Sequence, residues 1–190
     1  RHDRGLTHAY GAGRVFDPDR PLRLGVVSGD FRFHAMAFFA LPLFVLRERE
    51  EWTLICYSTT ARPDTQTKDF HHVADRWRDV RGLSDQNLVD LIVSDQIDIL
   101  IDLSGHAPHN RLLAFAAKPA PLQVAWGDYV DTRGLEALDI LIGDDIHTPE
   151  QDAARYVERL VHMTSDYICY KPPGYLPPAA PSPALKKGYV

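Results

Sequence analysis

Short apolar segments recur along most of the chain, separated by longer stretches of mixed polarity. Each segment is rich in aliphatic, β-branched or aromatic residues and is bounded by turn residues, so it predicts a buried strand. These segments lie at 22–27, 52–58, 97–103, 121–127 and 138–145, with a shorter strand predicted at 75–80. Strands that are apolar on both faces indicate a parallel sheet covered on each side.

The stretches between the strands predict helices, at 35–50, 83–96, 109–118 and 148–160, with an exposed helix beginning within 61–70. Ser84 or Asp85 suits the N-cap of the helix at 83–96, and Pro149 suits the first turn of the helix at 148–160. Pro42 predicts a kink in the first helix or a helix that restarts. Alternating strands and helices predict an α/β fold: a Rossmann-like, mostly parallel sheet with helices on both faces.

The chain divides into three parts by composition. Residues 1–20 are predicted to form an N-terminal extension, and residues 21–170 carry all the alternating elements of the Rossmann-like domain. Residues 171–190 are rich in proline and lack periodicity, which predicts an extended linker.

Composition excludes several classes of function. The 190 residues carry a net charge of -5 with scattered Lys and Arg, so nucleic acid is not expected as a partner. No apolar run approaches the roughly 20 residues that span a membrane, so no membrane association is expected. Cys56 and Cys169 are the only cysteines, and free thiols in a reducing compartment are the favoured interpretation, with a disulfide left open. The predicted location is therefore cytoplasmic.

Polar side chains follow three of the predicted strands, in the loops 28–34, 104–111 and 127–134. In an open parallel sheet, ligands bind beyond the carboxyl ends of the strands, so these loops are predicted to meet at one edge. Their candidate residues are Asp30, Arg32 and His34 in the first loop, His106, His109, Asn110 and Arg111 in the second, and Asp128, Tyr129, Asp131, Thr132 and Arg133 in the third.

Other types of site are less well supported. His34, His106, Asp102 and Asp128 could supply metal ligands, but nothing has the HExxH type of spacing, so no metal site is predicted. Asp102 is better placed to cap the turn that follows it. No GxGxxG motif follows the first strand and no GxSxG motif is present, which argues against a dinucleotide site and a serine nucleophile elbow.

Several segments resemble one family in their order and spacing: "RPLRLGVVSGDFRFH", "IDILIDLSGHAPHNRLLAFAAKPAPLQVAW" and "DYVDTRGLEALDILIGDD". Together they resemble the catalytic region of the protein O-linked N-acetylglucosamine transferases, including bacterial relatives and the plant SPINDLY type. The resemblance implies one lobe, the N-terminal one, of a two-lobed GT-B glycosyltransferase. It also implies a parent protein with tetratricopeptide repeats and a C-terminal lobe that binds most of the UDP-sugar donor.

The resemblance implies roles for individual residues. His34 and His106 are implied to be catalytic, and Asp30, Asn110, Arg111, Tyr129 and Thr132 are predicted, from their places in the three loops, to bind substrate. The implied reaction is attack by a Ser or Thr hydroxyl of a protein acceptor on the anomeric carbon, with inversion and loss of UDP. The UDP-sugar is a substrate, and neither a cofactor nor a metal is implied.

The sequence departs from the family's pattern at two places. Ala35 stands where proline usually follows the first histidine, and "DYVDT" at 128–132 replaces "GYPGT". Glycine permits close approach or positive φ, whereas aspartate adds bulk and a charge that repels a diphosphate. The departures leave open a changed donor or acceptor, weakened activity, or a non-catalytic interaction module. Besides the transferase and the interaction module, a metal-dependent hydrolase is a further alternative. The isolated chain is expected to be inactive.

Overall fold

The computed structural model describes residues 17 and 19–188. Its strands are β1 (Leu22–Ser28), β2 (Trp52–Ser58), β3 (Arg76–Asp79), β4 (Ile99–Asp102), β5 (Leu122–Ala125), β6 (Ile140–Gly143) and β7 (Arg159–His162). Its helices are α1 (Ala35–Leu46), α2 (Thr65–Val73), α3 (Asp85–Ser94), α4 (Leu112–Ala116) and α5 (Ala184–Lys187), with a 3-10 helix at Glu150–Arg155. Within these residues, no helix combines the length and hydrophobicity needed to cross a membrane.

The strands form one parallel sheet in the order β3-β2-β1-β4-β5-β6-β7. From β1 the chain winds outward to β3, then returns to the centre at β4 and winds outward the other way. The point between β1 and β4 is therefore the topological switch point, outside which ligands bind in sheets of this kind. This arrangement confirms the Rossmann-like fold class.

Alternate residues of the central strands pack into separate cores on the two faces of the sheet. Val27, Ile55 and Tyr57 face a core that contains Leu88 of α3 and Phe115 of α4. Their neighbours in the strands face a second core with α1 and α2, formed by Val26, Leu54, Cys56, Phe44 and Phe70. Burial on both faces explains why these strands lack polar alternation.

Pro42 does not break the first helix, so the restart that the sequence allowed is absent. A proline has no N–H and leaves the carbonyl four residues earlier without its helical partner. In α1 that carbonyl belongs to Phe38, and it accepts a hydrogen bond of 3.2 Å from the Lys171 backbone N–H. The segment after the sheet thus satisfies the group that Pro42 frees.

The prediction of a helix at 148–160 is wrong for its second half. Only Glu150–Arg155 are helical, as a 3-10 helix without a side-chain N-cap, and Arg159–His162 form the edge strand β7. This strand pairs in parallel with β6, Ile140 opposite Arg159. An edge strand has a neighbouring strand on one side only, and the residues of β7 are at most partly buried. The segment "RLVH" therefore lacks the apolar run that marks the inner strands.

The ends of the chain leave the predicted domain boundaries untested. Most of the predicted extension at 1–20 lies outside the described residues. Within the proline-rich segment, the short helix α5 ends at Gly188, whose φ of +73° terminates it. The boundaries at 20 and 170 stay predictions.

Candidate functional site

Three loops leave the sheet at the same edge, on either side of the switch point. Val27 of β1 lies opposite Asp102 of β4, which in turn lies opposite Ala125 of β5. The loops 29–34, 103–111 and 126–134 therefore begin at adjacent positions. The site is built from these loops.

His34 begins α1 as its N-cap residue. Its ring Nδ1 accepts a hydrogen bond of 3.3 Å from the Met36 backbone N–H. Since Nδ1 acts as the acceptor, the proton of the neutral ring lies on Nε2. His34 can thus donate a hydrogen bond to a ligand while it caps the helix.

Asp30, His34 and Asp128 come together from two of the loops. One side-chain N or O atom from each lies within 4.8 Å of the others. Asp30 also pairs with the partly exposed Arg32 at 2.8 Å. Partial burial raises the pKa of Asp128, and the negative charge of Asp30 adds to this, while His34 and nearby arginines oppose it. This edge of the sheet is therefore acidic around one imidazole.

His106, in the loop after β4, lies beside Tyr129, the residue that follows Asp128 in the loop after β5. Its ring packs edge-to-face on Tyr129, with ring centroids 5.2 Å apart. Gly105 permits this contact, because its φ is +52° and a Cβ there would come within 2.6 Å of Tyr129 Cγ. Asp128 thus lies beside His34, and the adjacent Tyr129 lies beside His106.

The other predicted substrate-binding residues use their polar groups within the protein. The Asn110 amide donates to the Ala107 carbonyl and accepts from the Leu112 N–H. Thr132 donates its hydroxyl to Glu158 at 2.6 Å. Their substrate contacts stay predictions.

Arg111 uses its guanidinium for contacts within the protein. Its guanidinium bonds to Asp85 at 2.7 Å and to the carbonyls of Val80 and Leu83, which ties the loop after β4 to the start of α3. His109 precedes α4 rather than beginning it, in a left-handed turn with φ of +66°. The role of Arg111 toward substrate also stays a prediction.

Arg133 organises the third loop, a role that sequence reasoning missed. Its side chain is fully buried and donates Nε–H to Asp102 at 3.1 Å. The same guanidinium donates to the carbonyls of Tyr129 and Asp131. The signal in the sequence was an aspartate ending an apolar strand, since a buried carboxylate needs a cationic or hydrogen-bonding partner.

Asp102 caps the turn after β4, as predicted. Its carboxylate accepts hydrogen bonds from the Ser104 and Gly105 N–H groups at 3.1 and 2.9 Å, besides the bond from Arg133. With these bonds its oxygens are engaged. Of the four candidate metal ligands His34, His106, Asp102 and Asp128, the described structure groups only His34 and Asp128, and the third member of that group is Asp30.

Comparison with known proteins identifies the family. Residues 6–171 match glycosyl transferase family 41. The chain belongs to this family. It is 32% identical over 178 residues to the probable UDP-N-acetylglucosamine–peptide N-acetylglucosaminyltransferase SPINDLY of Arabidopsis thaliana, which covers 92% of this chain. It is 33% identical over 148 residues, or 77% of the chain, to the SEC protein of the same plant, which has the same enzyme name.

A solved structure is similar to this chain in its fold as well as its sequence. An O-GlcNAc transferase mutant from Thermobaculum terrenum matches 94% of this chain with a TM-score of 0.87 and 40% sequence identity. The chain spans 34% of that structure's chain and 20% of the SPINDLY protein's length. It thus corresponds to a part of its family 41 relatives.

The altered loop of this family 41 chain is not strained. Its positive φ angles fall on Gly127 and Gly134, at +91° and +67°, and neither Asp128 nor Asp131 has one. The two aspartates therefore need no conformation that glycine alone favours. The change is one of charge, with Asp128 beside His34 and Asp131 exposed.

Proposed function

We propose that this chain is the N-terminal catalytic lobe of a glycosyltransferase that moves a sugar from a UDP-sugar to Ser or Thr hydroxyls of proteins. The observation that carries the proposal is the grouping of His34, Asp30 and Asp128 at the switch-point edge of a family 41 chain. Family 41 relatives named N-acetylglucosaminyltransferases supply the class of donor and acceptor.

The proposed reaction is an inverting displacement. The acceptor hydroxyl loses its proton to a base as its oxygen attacks the anomeric carbon, the bond to the β-phosphate oxygen breaks, and UDP leaves with the electron pair. His34 donates from Nε2 to the bound substrates, and His106 with Tyr129 forms the adjoining wall. The proposal includes no metal or cofactor, places most of the UDP site on a C-terminal lobe, and locates the reaction in the cytoplasm.

The test is sugar transfer by the protein that joins these residues to a second lobe. Incubation with a panel of UDP-sugars and Ser- or Thr-containing peptides is expected to yield a glycosylated peptide detectable by mass spectrometry. The 190-residue chain alone is expected to give none, since it supplies one wall of the cleft. Absence of both transfer and sugar-nucleotide hydrolysis in the two-lobed protein would overturn the proposal.

One observation favours a second candidate, a non-catalytic interaction module. Asp30 and Asp128 place two carboxylates where a diphosphate-linked sugar is proposed to bind, and like charges disfavour that binding. Calorimetry with UDP and UDP-sugars separates the candidates. Binding with turnover supports the transferase, and absence of binding supports the module.

A further inference from the structure

Among the carboxylates of the three loops, Asp128 alone has neither a hydrogen bond nor an ion pair to a described residue. Its neighbour Asp30 is only 8% exposed and is held by Arg32. Asp128 itself is exposed at the rim, beside His34. It is therefore free to bind a proton or a hydroxyl group from a ligand in the cleft.

His34 is poorly arranged to accept a proton. The Met36 N–H occupies the Nδ1 lone pair, so the neutral ring already carries its proton on Nε2. Accepting another proton at Nδ1 requires the ring to give up its N-cap bond. The imidazole in this arrangement is a hydrogen-bond donor.

The surroundings of Asp128 favour a proton acceptor. Although Asp128 is exposed at the rim, the surrounding protein partly desolvates its carboxylate and raises its pKa above the ordinary aspartate value, and the negative charge of Asp30 raises the pKa further. A base is most effective when its pKa approaches the working pH, so this shift strengthens the carboxylate as a base. The charged and titratable groups that act on it are Asp30, Arg32, His34 and Arg133, and Tyr167 is in turn affected by its charge.

We propose that Asp128 is the catalytic base of the transfer, a role that rests on the proposed function. As the acceptor oxygen forms its bond to the anomeric carbon, the hydroxyl proton passes to the Asp128 carboxylate. The bond from that carbon to the phosphate oxygen breaks, and UDP departs with the electron pair. Asp128 then returns its proton to water at the exposed rim, while the Nε2–H of His34 orients the reacting groups.

The contrast with Asp131 supplies a matched control. Both aspartates stand where the resembling family has glycine, five and two residues before Arg133 in the same loop, but only Asp128 lies beside His34. Asp131 is exposed and accepts a hydrogen bond from the Thr132 N–H. Replacing either by asparagine removes one charge from the loop, and only Asp128→Asn removes the proposed base.

The experiment measures transfer by the two-lobed protein and its variants across pH. We expect Asp128→Asn to lower kcat by about 100-fold or more, the range for loss of a general base, without raising the KM for the donor. Wild-type kcat should fall as pH drops through the raised pKa of Asp128, and the variant should lose this acid limb. Asp128→Glu should recover part of the rate, and Asp131→Asn should behave as wild type.

The outcomes distinguish this proposal from the function on which it rests. An Asp128→Asn enzyme that keeps kcat within threefold of an active wild type, or keeps its acid limb, overturns the role of Asp128 alone. A wild-type protein without transfer or hydrolysis overturns both. Unchanged thermal unfolding is expected for Asp128→Asn, since no described residue donates a hydrogen bond to this side chain, and it separates lost chemistry from lost folding.

Discussion

Arg133 donates its Nε–H to Asp102 across 3.1 Å, in a pair whose side chains are 0% and 1% exposed. The pair joins the end of β4 to the loop that follows β5. Since that loop carries Asp128 and Tyr129, the positions of both depend on a contact made entirely in the interior. The same buried pair thus supports both the acidic group around His34 and the contact of His106 with Tyr129.

Arg133→Met is expected to destabilise the protein strongly. Removal of one partner of a buried ion pair leaves the other charge uncompensated and costs about 3–5 kcal/mol. Urea unfolding of wild type and variant measures the difference. Arg81→Met is the control, because Arg81 pairs with Asp79 at the exposed surface and its loss should leave the free energy of unfolding nearly unchanged. Equal effects of the two substitutions would contradict the assigned role of Arg133.

Gly105→Ala is expected to displace Tyr129 as well as strain the backbone. Both Gly105 and Gly134 have positive φ, but only at Gly105 would an added Cβ meet another side chain, that of Tyr129. Gly134→Ala should therefore cost only the left-handed conformation, about 1–2 kcal/mol. Gly105→Ala should cost more and alter the tyrosine fluorescence or NMR signals of the His106–Tyr129 contact. Equal stability and equal tyrosine signals in Gly105→Ala and Gly134→Ala would count against that contact.

Asp144 should make stability depend on pH in the acid range. Hydrogen bonds, first that from the His147 backbone N–H, lower its pKa to about 2. A carboxyl whose pKa is lower when folded stabilises the protein above its unfolded pKa of about 3.9, and this stabilisation is lost as pH falls through the folded value. Asp144→Asn should thus be less stable than wild type at pH 7, with the gap in urea midpoint narrowing from pH 4 downward. A gap that stays constant with pH, or one that Asp131→Asn reproduces, would refute this.

The sequence was most informative where physical constraints are local. The inner strands are apolar because both faces of the sheet are covered, and Ser84 caps α3 through the Asn87 N–H, one of the two caps the sequence offered. The edge strand β7 was missed because its residues are only partly buried.

The site was predictable only as far as its loops. Strand order alone brings His34, His106 and the 128–133 loop to one edge, since parallel strands end together. The partners of Arg133 and the approach of Asp30 to Asp128 depend on long-range packing. No spacing along the chain encodes such contacts, so they came from the structure.

His34 combines capping with its proposed catalytic role, and two substitutions separate these roles. Alanine removes both the imidazole and the N-cap acceptor, whereas asparagine keeps an acceptor for the Met36 N–H. His34→Ala should lose about 1 kcal/mol of stability, and His34→Asn should unfold near the wild-type midpoint.

Both variants should lower the turnover of the two-lobed protein by roughly tenfold to a hundredfold, as expected when a hydrogen bond to a charged group is lost. Steady-state transfer to a Ser or Thr peptide measures this loss, and thermal unfolding measures the cap. His106→Asn serves as a comparison from the same cleft edge, since its ring caps no helix. Wild-type kinetics in His34→Asn would remove His34 from the chemistry. The N-cap of α1 would then be the only role that His34→Ala disturbs.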